Sequence, residues 1–207
     1  MSVRTIGLAT RNVHKIREIR AMLARANIPV YIRTARELNV PPPQETGTTF
    51  LENARIKARY YARYFQCPTL ADDSGLVIPA LDGFPGVHSA RWGADRMTQE
   101  EKNRWIVERL QHRPPEDRTA MFVCALVFAD RERILWETEV RVTGQITPEP
   151  RGHRGFGYDP IFFYPPAGKT FAEMTPEEKN AVSHRGRALR AWLRFLRTWT
   201  PQQDGAS

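Results

Sequence analysis

A strand, a helix and a second strand succeed one another within the first 33 residues, and this order constrains the fold more than any other feature. Residues 3–10, VRTIGLAT, are mostly apolar and end in small or polar side chains. Within 12–27, Ile16, Ile19, Leu23 and Ala26 recur at helical spacing, with Asn12 placed as the N-cap. A short strand follows near Pro29–Arg33. That succession is the start of an α/β fold.

The rest of the chain continues the pattern. Residues 35–47 read as a loop, and 48–65 as a helix with Phe50, Ala54, Ala58, Tyr61 and Phe65 on its inner stripe. Residues 82–93 are glycine-rich and irregular. Thr98 and Glu101 form a capping box for a helix ending near Leu110. TAMFVCALVFAD and ILWETEVRVTG read as antiparallel strands joined by a charged turn at Asp130–Arg133. Thr175-Pro176-Glu177-Glu178 opens another helix. The final helix carries Leu189, Trp192, Leu193 and Leu196 on one face. No linker or repeat divides 1–200, which reads as a single domain. The tail 201–207, PQQDGAS, is expected to be disordered.

The net charge of +8 comes almost entirely from arginine, since only five residues are lysine. The arginines are dispersed along the chain and no nucleic-acid motif accompanies them, so they read as surface cover and no nucleic-acid partner is expected. No run of about 18 apolar residues exists, so no membrane span is expected. The N-terminus lacks a signal-peptide pattern. Cys67 and Cys124, far apart, fit free thiols in a reducing cytoplasm.

Four stretches hold polar residues that packing does not explain. In LADDSGLVI, 70–78, Asp72 and Asp73 interrupt an apolar run. Alone, this reads most simply as a turn; the sharper reading is a metal and acid/base site at a strand end. In ATRNVHK, 9–15, Lys15 sits one turn into a helix, where a cation opposes the dipole unless an anion binds. In QETGTTFLENA, Glu45 precedes a helix. In GFGYDP and EEKNAVSHRGRAL, Phe156 and Tyr158 flank Gly157, and Lys179, Ser183, His184 and Arg185 crowd the approach to the last helix. Gly186 is out of place there, because glycine weakens a helix.

Taken in order, ATRNVHK, TGTTFLENA, ADDSGL, GFPGVHSARW, GFGYDPIF and EEKNAVSHRGRAL resemble the inosine triphosphate pyrophosphatase family from about residue 5 to 195. The resemblance implies a long, twisted, mixed sheet flanked by helices, in two lobes with an active-site cleft between them, and a homodimer. It implies hydrolysis of ITP, dITP and XTP to the monophosphate and pyrophosphate with Mg²⁺. Asp73 would be proton acceptor and metal ligand, Glu45 a second metal ligand, and Asp72 a support. Thr10, Arg11, Asn12, Val13, His14 and Lys15 would hold the triphosphate, and Ser74 would add a hydroxyl. Phe156, Gly157, Tyr158 and Asp159 would shape the base pocket, with Lys179, His184 and Arg185 as further nucleoside contacts. A donor such as Arg185 would pair with the C6 oxygen of hypoxanthine or xanthine. Mutual repulsion of Asp72 and Asp73 would raise one pKa.

The first motif is commonly Thr-Gly-Asn in this family, whereas Arg11 stands at its centre here; that side chain either points outward or adds a phosphate contact. Arg91 and Trp92 read as supports of the cleft. Two other readings compete: a related Maf-like pyrophosphatase for modified pyrimidine nucleotides, against which the Ser-His-Arg run argues, and a non-catalytic basic nucleic-acid-binding protein.

Overall fold

The computed structural model describes residues 4–93 and 96–200; the expected disordered tail lies outside the described residues. Among the described residues, seven strands form one sheet in the order β2-β1-β3-β4-β5-β6-β7. β1 (Arg4–Leu8) pairs in parallel with β2 (Val30–Thr34) and with β3 (Thr69–Val77). All later pairs are antiparallel: β4 (Thr119–Asp130), β5 (Arg133–Ile146), β6 (Phe162–Tyr164) and β7 (Lys169–Thr170). The mixed sheet expected from the sequence is therefore present. The charged turn joining β4 to β5 turns through Arg131, at φ 51°.

Among the described residues, five α-helices flank the sheet. α1 (Val13–Arg25) connects β1 to β2, and α2 (Phe50–Phe65) lies between β2 and β3. α3 (Gln99–Leu110) precedes β4, and α4 (Pro176–Val182) and α5 (His184–Thr198) close the described chain. Local chemistry fixes their starts. Asn12 caps α1 by accepting from His14 N and Lys15 N, and Thr49, Thr98 and Thr175 each complete a capping box.

The period-2 pattern of the central strands assigns one helix layer to each face. Leu126 and Phe128 of β4 pack with Ile19 and Leu23 of α1 and with Leu189, Trp192 and Leu196 of α5. Ala125 and Val127, on the opposite face, pack with Ala54, Ala58 and Tyr61 of α2. A third cluster lies at the far end of the β4–β5 hairpin, where Phe122, Phe162 and Phe171 meet Ile106 and Leu110 of α3. The hairpin is thus a spine shared by two lobes.

One feature of the sheet positions the site. β1 pairs with β3 only at Gly7–Thr69 and Leu8–Leu70 before it turns into α1. β3 continues alone on that edge, so Asp72, Asp73 and Ser74 border a notch in the sheet. This corrects the expectation that the two aspartates mark a strand end. They lie mid-strand, Asp72 in register with Leu126 and Asp73 with Ala125. The strand that ends there is β1.

Candidate active site

Because successive strand residues point to opposite faces, Asp72 and Asp73 do different work. Asp72 faces α1 and α5. One of its carboxylate oxygens accepts from the Lys15 ammonium and, at 2.9 Å, from Ser74 Oγ; the other accepts from Arg185 Nε at 2.8 Å and from Cys124 Sγ at 3.3 Å. Burial works against its charge, yet Arg185 and then Lys15 hold its carboxyl well below the ordinary value. Arg185 also donates to Glu18 Oε2 at 2.8 Å and to Ser74 Oγ at 2.7 Å. The cluster of Asp72, Arg185, Lys15 and Glu18 therefore locks α1, β3 and α5 together.

Asp73 faces α2. Its Oδ1 accepts from Lys57 Nζ at 2.5 Å, and Lys57 lies 3.5 Å from Glu45 Oε1. Asp73 Oδ2 is buried and has no hydrogen-bond partner among the described residues. Burial pushes the Asp73 carboxyl up, and Lys57 offsets this only in part. The expected cause, repulsion from Asp72, is replaced by desolvation, since the sheet separates the two carboxylates. Burial also works against the Lys57 charge, but Asp73 and Glu45 outweigh it and raise its pKa. Glu45 is held in turn by Arg91 Nη1 at 2.6 Å, and its loop is pinned where Asn53 bonds both Gly47 N and Gly47 O.

Among the described residues no three His, Cys, Asp or Glu side chains form a metal-holding cluster. Glu45 and Asp73 nevertheless converge on one cation, and Asp73 keeps a free oxygen. A hard divalent ion such as Mg²⁺ commonly takes one or two protein carboxylates and completes its shell with water and phosphate oxygens. The donors present fit that kind of ion. Asp72, on the other face, is not among them.

On the α5 side, a cleft of about 770 Å³ runs from Asn12, His14 and Lys15 past Ser74 to Phe156, Gly157, Tyr158, Asp159, Lys179, His184 and Arg185. The 155–159 turn is built around a buried carboxylate. Asp159 Oδ2 accepts from Phe156 N at 2.8 Å and from Lys179 Nζ at 2.6 Å. Burial pushes the Asp159 carboxyl up, with Lys179 opposing. Gly155, at φ 74°, is required there, because a Cβ would stand 2.1 Å from that same oxygen. The Phe156 ring has the Lys179 ammonium 4.6 Å and the Arg185 guanidinium 5.4 Å from its centroid. Tyr158 is a buried brace: it accepts from Trp92 Nε1 at 2.6 Å and donates to Ser89 O at 2.7 Å, and burial pushes its phenol up to about 12. Trp92 thus supports the cleft, as the sequence led us to expect.

The His184 ring stacks on Phe122 at 4.6 Å, with Nδ1 buried and unpartnered among the described residues. Burial, reinforced by Arg185, holds its pKa well below the ordinary value, so the ring is neutral near pH 7. Gly186, puzzling in the sequence, lies where α4 meets α5, and a Cβ there would stand 2.0 Å from Asn180 O.

Three expectations are modified. The Arg11 guanidinium is turned from the cleft and donates to the carbonyls of Ala35, Leu38 and Val40. Val13 is exposed and Thr10 Oγ1 accepts from Asn12 N, so neither side chain lines the cleft. Arg185 spends Nε, Nη1 and Nη2 on Asp72, Glu18 and Ser74, which leaves two of its five N–H groups for any ligand. Sequence reasoning missed Lys57 and Glu18. Lys57 lies three residues after Ala54 on the inner stripe of α2, and a lysine there must be paired. Glu18 carried no local signal.

The Ham1 family model matches residues 6–195. The chain belongs to the Ham1 family. This Ham1 chain is 46% identical over 203 residues to a dITP/XTP pyrophosphatase of Lactobacillus johnsonii, covering 97% of this chain and 98% of that one. It is 43% identical to the dITP/XTP pyrophosphatase of Escherichia coli K12, over 92% of this chain and 96% of that one. Its fold matches a HAM1 protein from Coxiella burnetii with a TM-score of 0.86 at 40% identity, covering 95% of this chain and all of the other.

Proposed function

We propose that this Ham1 chain hydrolyses the triphosphates of deaminated purines, ITP, dITP and XTP, to the monophosphate and pyrophosphate, with Mg²⁺, as a cytoplasmic homodimer. The observation that carries the reading is the unpartnered, buried Asp73 Oδ2, one residue from Ser74 on the floor of the cleft. A buried carboxylate with a raised pKa and a free oxygen is a competent proton acceptor. Two free cysteines and relatives named for this activity support the reading.

The triphosphate would cross the notch beyond β1, from the cleft on one face of β3 to Asp73 on the other. Asn12, the α1 N-terminus and Lys15 would meet its phosphates. Asp73 would accept a proton as a water oxygen bonds to the α-phosphorus and the bond to the bridging oxygen breaks, so that pyrophosphate leaves. Lys57 would keep Asp73 and Glu45 aligned. A magnesium ion held by Glu45 and Asp73 would supply charge neutralisation of the phosphate oxygens. At the other end the base would lie on Phe156. Lys179, the remaining Arg185 N–H groups and the backbone of the 155–158 turn present donors. A C6 oxygen accepts from them, whereas the adenine amino group meets them donor to donor.

Product analysis by ³¹P NMR in ¹⁸O-water tests the reaction. With dITP and Mg²⁺ we expect dIMP carrying the label, plus unlabelled pyrophosphate, and neither with EDTA. Inorganic phosphate with dIDP, or labelled pyrophosphate, would overturn the proposed attack.

A further inference from the structure

His14 makes a contact that neither helix capping nor core packing explains. It is the second residue of α1 and is exposed, yet its ring stacks on Phe156 with centroids 5.0 Å apart and planes 17° from parallel. Its backbone N–H is held by Asn12 Oδ1 at 2.9 Å, so the base of the side chain is fixed. Among the described residues its ring nitrogens make no hydrogen bond, so the ring can turn. His14 also lines both the main cleft and a cavity of about 260 Å³ beside Phe156. The ring therefore has space to leave the pair.

We propose that His14 is the movable jaw of a base clamp: it covers Phe156 in the free protein and swings outward to stack on the far side of an incoming purine. This rests on the proposed function, in which the base lies on Phe156. Stacked aromatic centroids lie about 4.5–7 Å apart, so the 5.0 Å pair has no room for a third ring. His14 has to move if a base is to lie between them. The rest of the Phe156 surroundings is fixed, because Lys179 and Arg185 are buried in ion pairs with Asp159, Glu18 and Asp72. The exposed imidazole is the free member. A purine overlaps both rings over more area than they overlap each other, so the clamp closes with a net gain, and the gain is larger for a purine than for a pyrimidine.

The magnitude follows from the exchange of stacks. A base–aromatic stack changes affinity about 5- to 150-fold, and the His14–Phe156 pair surrendered returns about 2- to 12-fold. Taking the middle of each range, His14→Ala should raise KM for dITP about fivefold. kcat should move less, since stacking holds ground state and transition state alike. His14→Phe, which can still stack, should restore KM. In the wild type, ¹³C-labelled His14 ring protons, assigned by their loss in His14→Ala, should stay ring-current shifted but change position when dIMP is added with EDTA.

Outcomes separate cleanly. A fall in KM for His14→Ala would mean that the ring merely plugs the pocket and would overturn the clamp. An unchanged KM, or His14→Phe behaving like His14→Ala, would overturn it too. If the wild type hydrolyses dITP and these variants fail the test, the inference alone is wrong. If the wild type hydrolyses no purine triphosphate, the proposed function is wrong and the clamp falls with it.

Discussion

Asp72→Asn removes one charge from an enclosed cluster while nearly keeping its shape. The Asp72 side chain is 1% exposed and that of Arg185 4%. Cutting a buried carboxylate from its partners costs about 3–5 kcal/mol, because the cation left behind is uncompensated. Glu18 still faces Arg185 at 2.8 Å, so the lower end, about 3 kcal/mol, is expected. In a chain of 150–250 residues each kcal/mol lowers the melting midpoint by about 2–4 °C, which gives a fall of about 6–12 °C. Differential scanning calorimetry at pH 7, without nucleotide, reads it directly. Asp73→Asn is the matched control on the other face. Burial already pushes that carboxyl up, and Glu45 remains near Lys57, so its midpoint should stay within about 2 °C of wild type or rise. The pH dependence has a definite sign. The folded pKa of Asp72 lies below its unfolded value of about 3.9, so its contribution is fully present above that value and fades as pH falls through the folded pKa. The gap between wild type and Asp72→Asn should hold from about pH 5 to 8 and close below about pH 4. An Asp72→Asn midpoint equal to wild type, or an equal fall for Asp73→Asn, would refute this division of labour.

Lys57→Met removes the cation that opposes burial at Asp73, so that carboxyl should be pushed up further; a base must be ionised to act, so the acid limb of kcat/KM against pH should move to higher pH. Gly186→Ala drives a Cβ to 2.0 Å from Asn180 O and should cost about 1–3 kcal/mol, read by urea unfolding. Arg11→Ala frees three loop carbonyls; amide exchange across 35–45 should speed up relative to the rest of the chain, with loss of about 1 kcal/mol of stability.

What the sequence made legible was local. The Asn12 cap and the capping boxes at Thr98 and Thr175 depend on residues two or three apart, and each is in place. The inner stripe of α2 and the apolar face of α5 are likewise read from spacing. The aspartate pair was misread because carboxylates broke the apolar pattern that marks a strand, although the pleat itself would have sent neighbours to opposite faces. Glu18 pairs with residues more than 160 positions away, a contact that no local pattern carries. The direction of Arg11 is set by carbonyls of a loop brought beside it by the β1–β2 pairing. The cleft residues 156–159 and 179–185 were found by motif, but their internal pairing was not, because it depends on how α1 and α5 meet over β3.

The most direct test of the account is kcat/KM for dITP, XTP, GTP and ATP with Mg²⁺ and with EDTA, for the wild type and for Asp73→Asn. The account predicts Mg²⁺-dependent turnover of dITP and XTP at least about a hundredfold above ATP, abolished in Asp73→Asn. Equal turnover of ATP and dITP, or an Asp73→Asn enzyme as active as wild type, would contradict it.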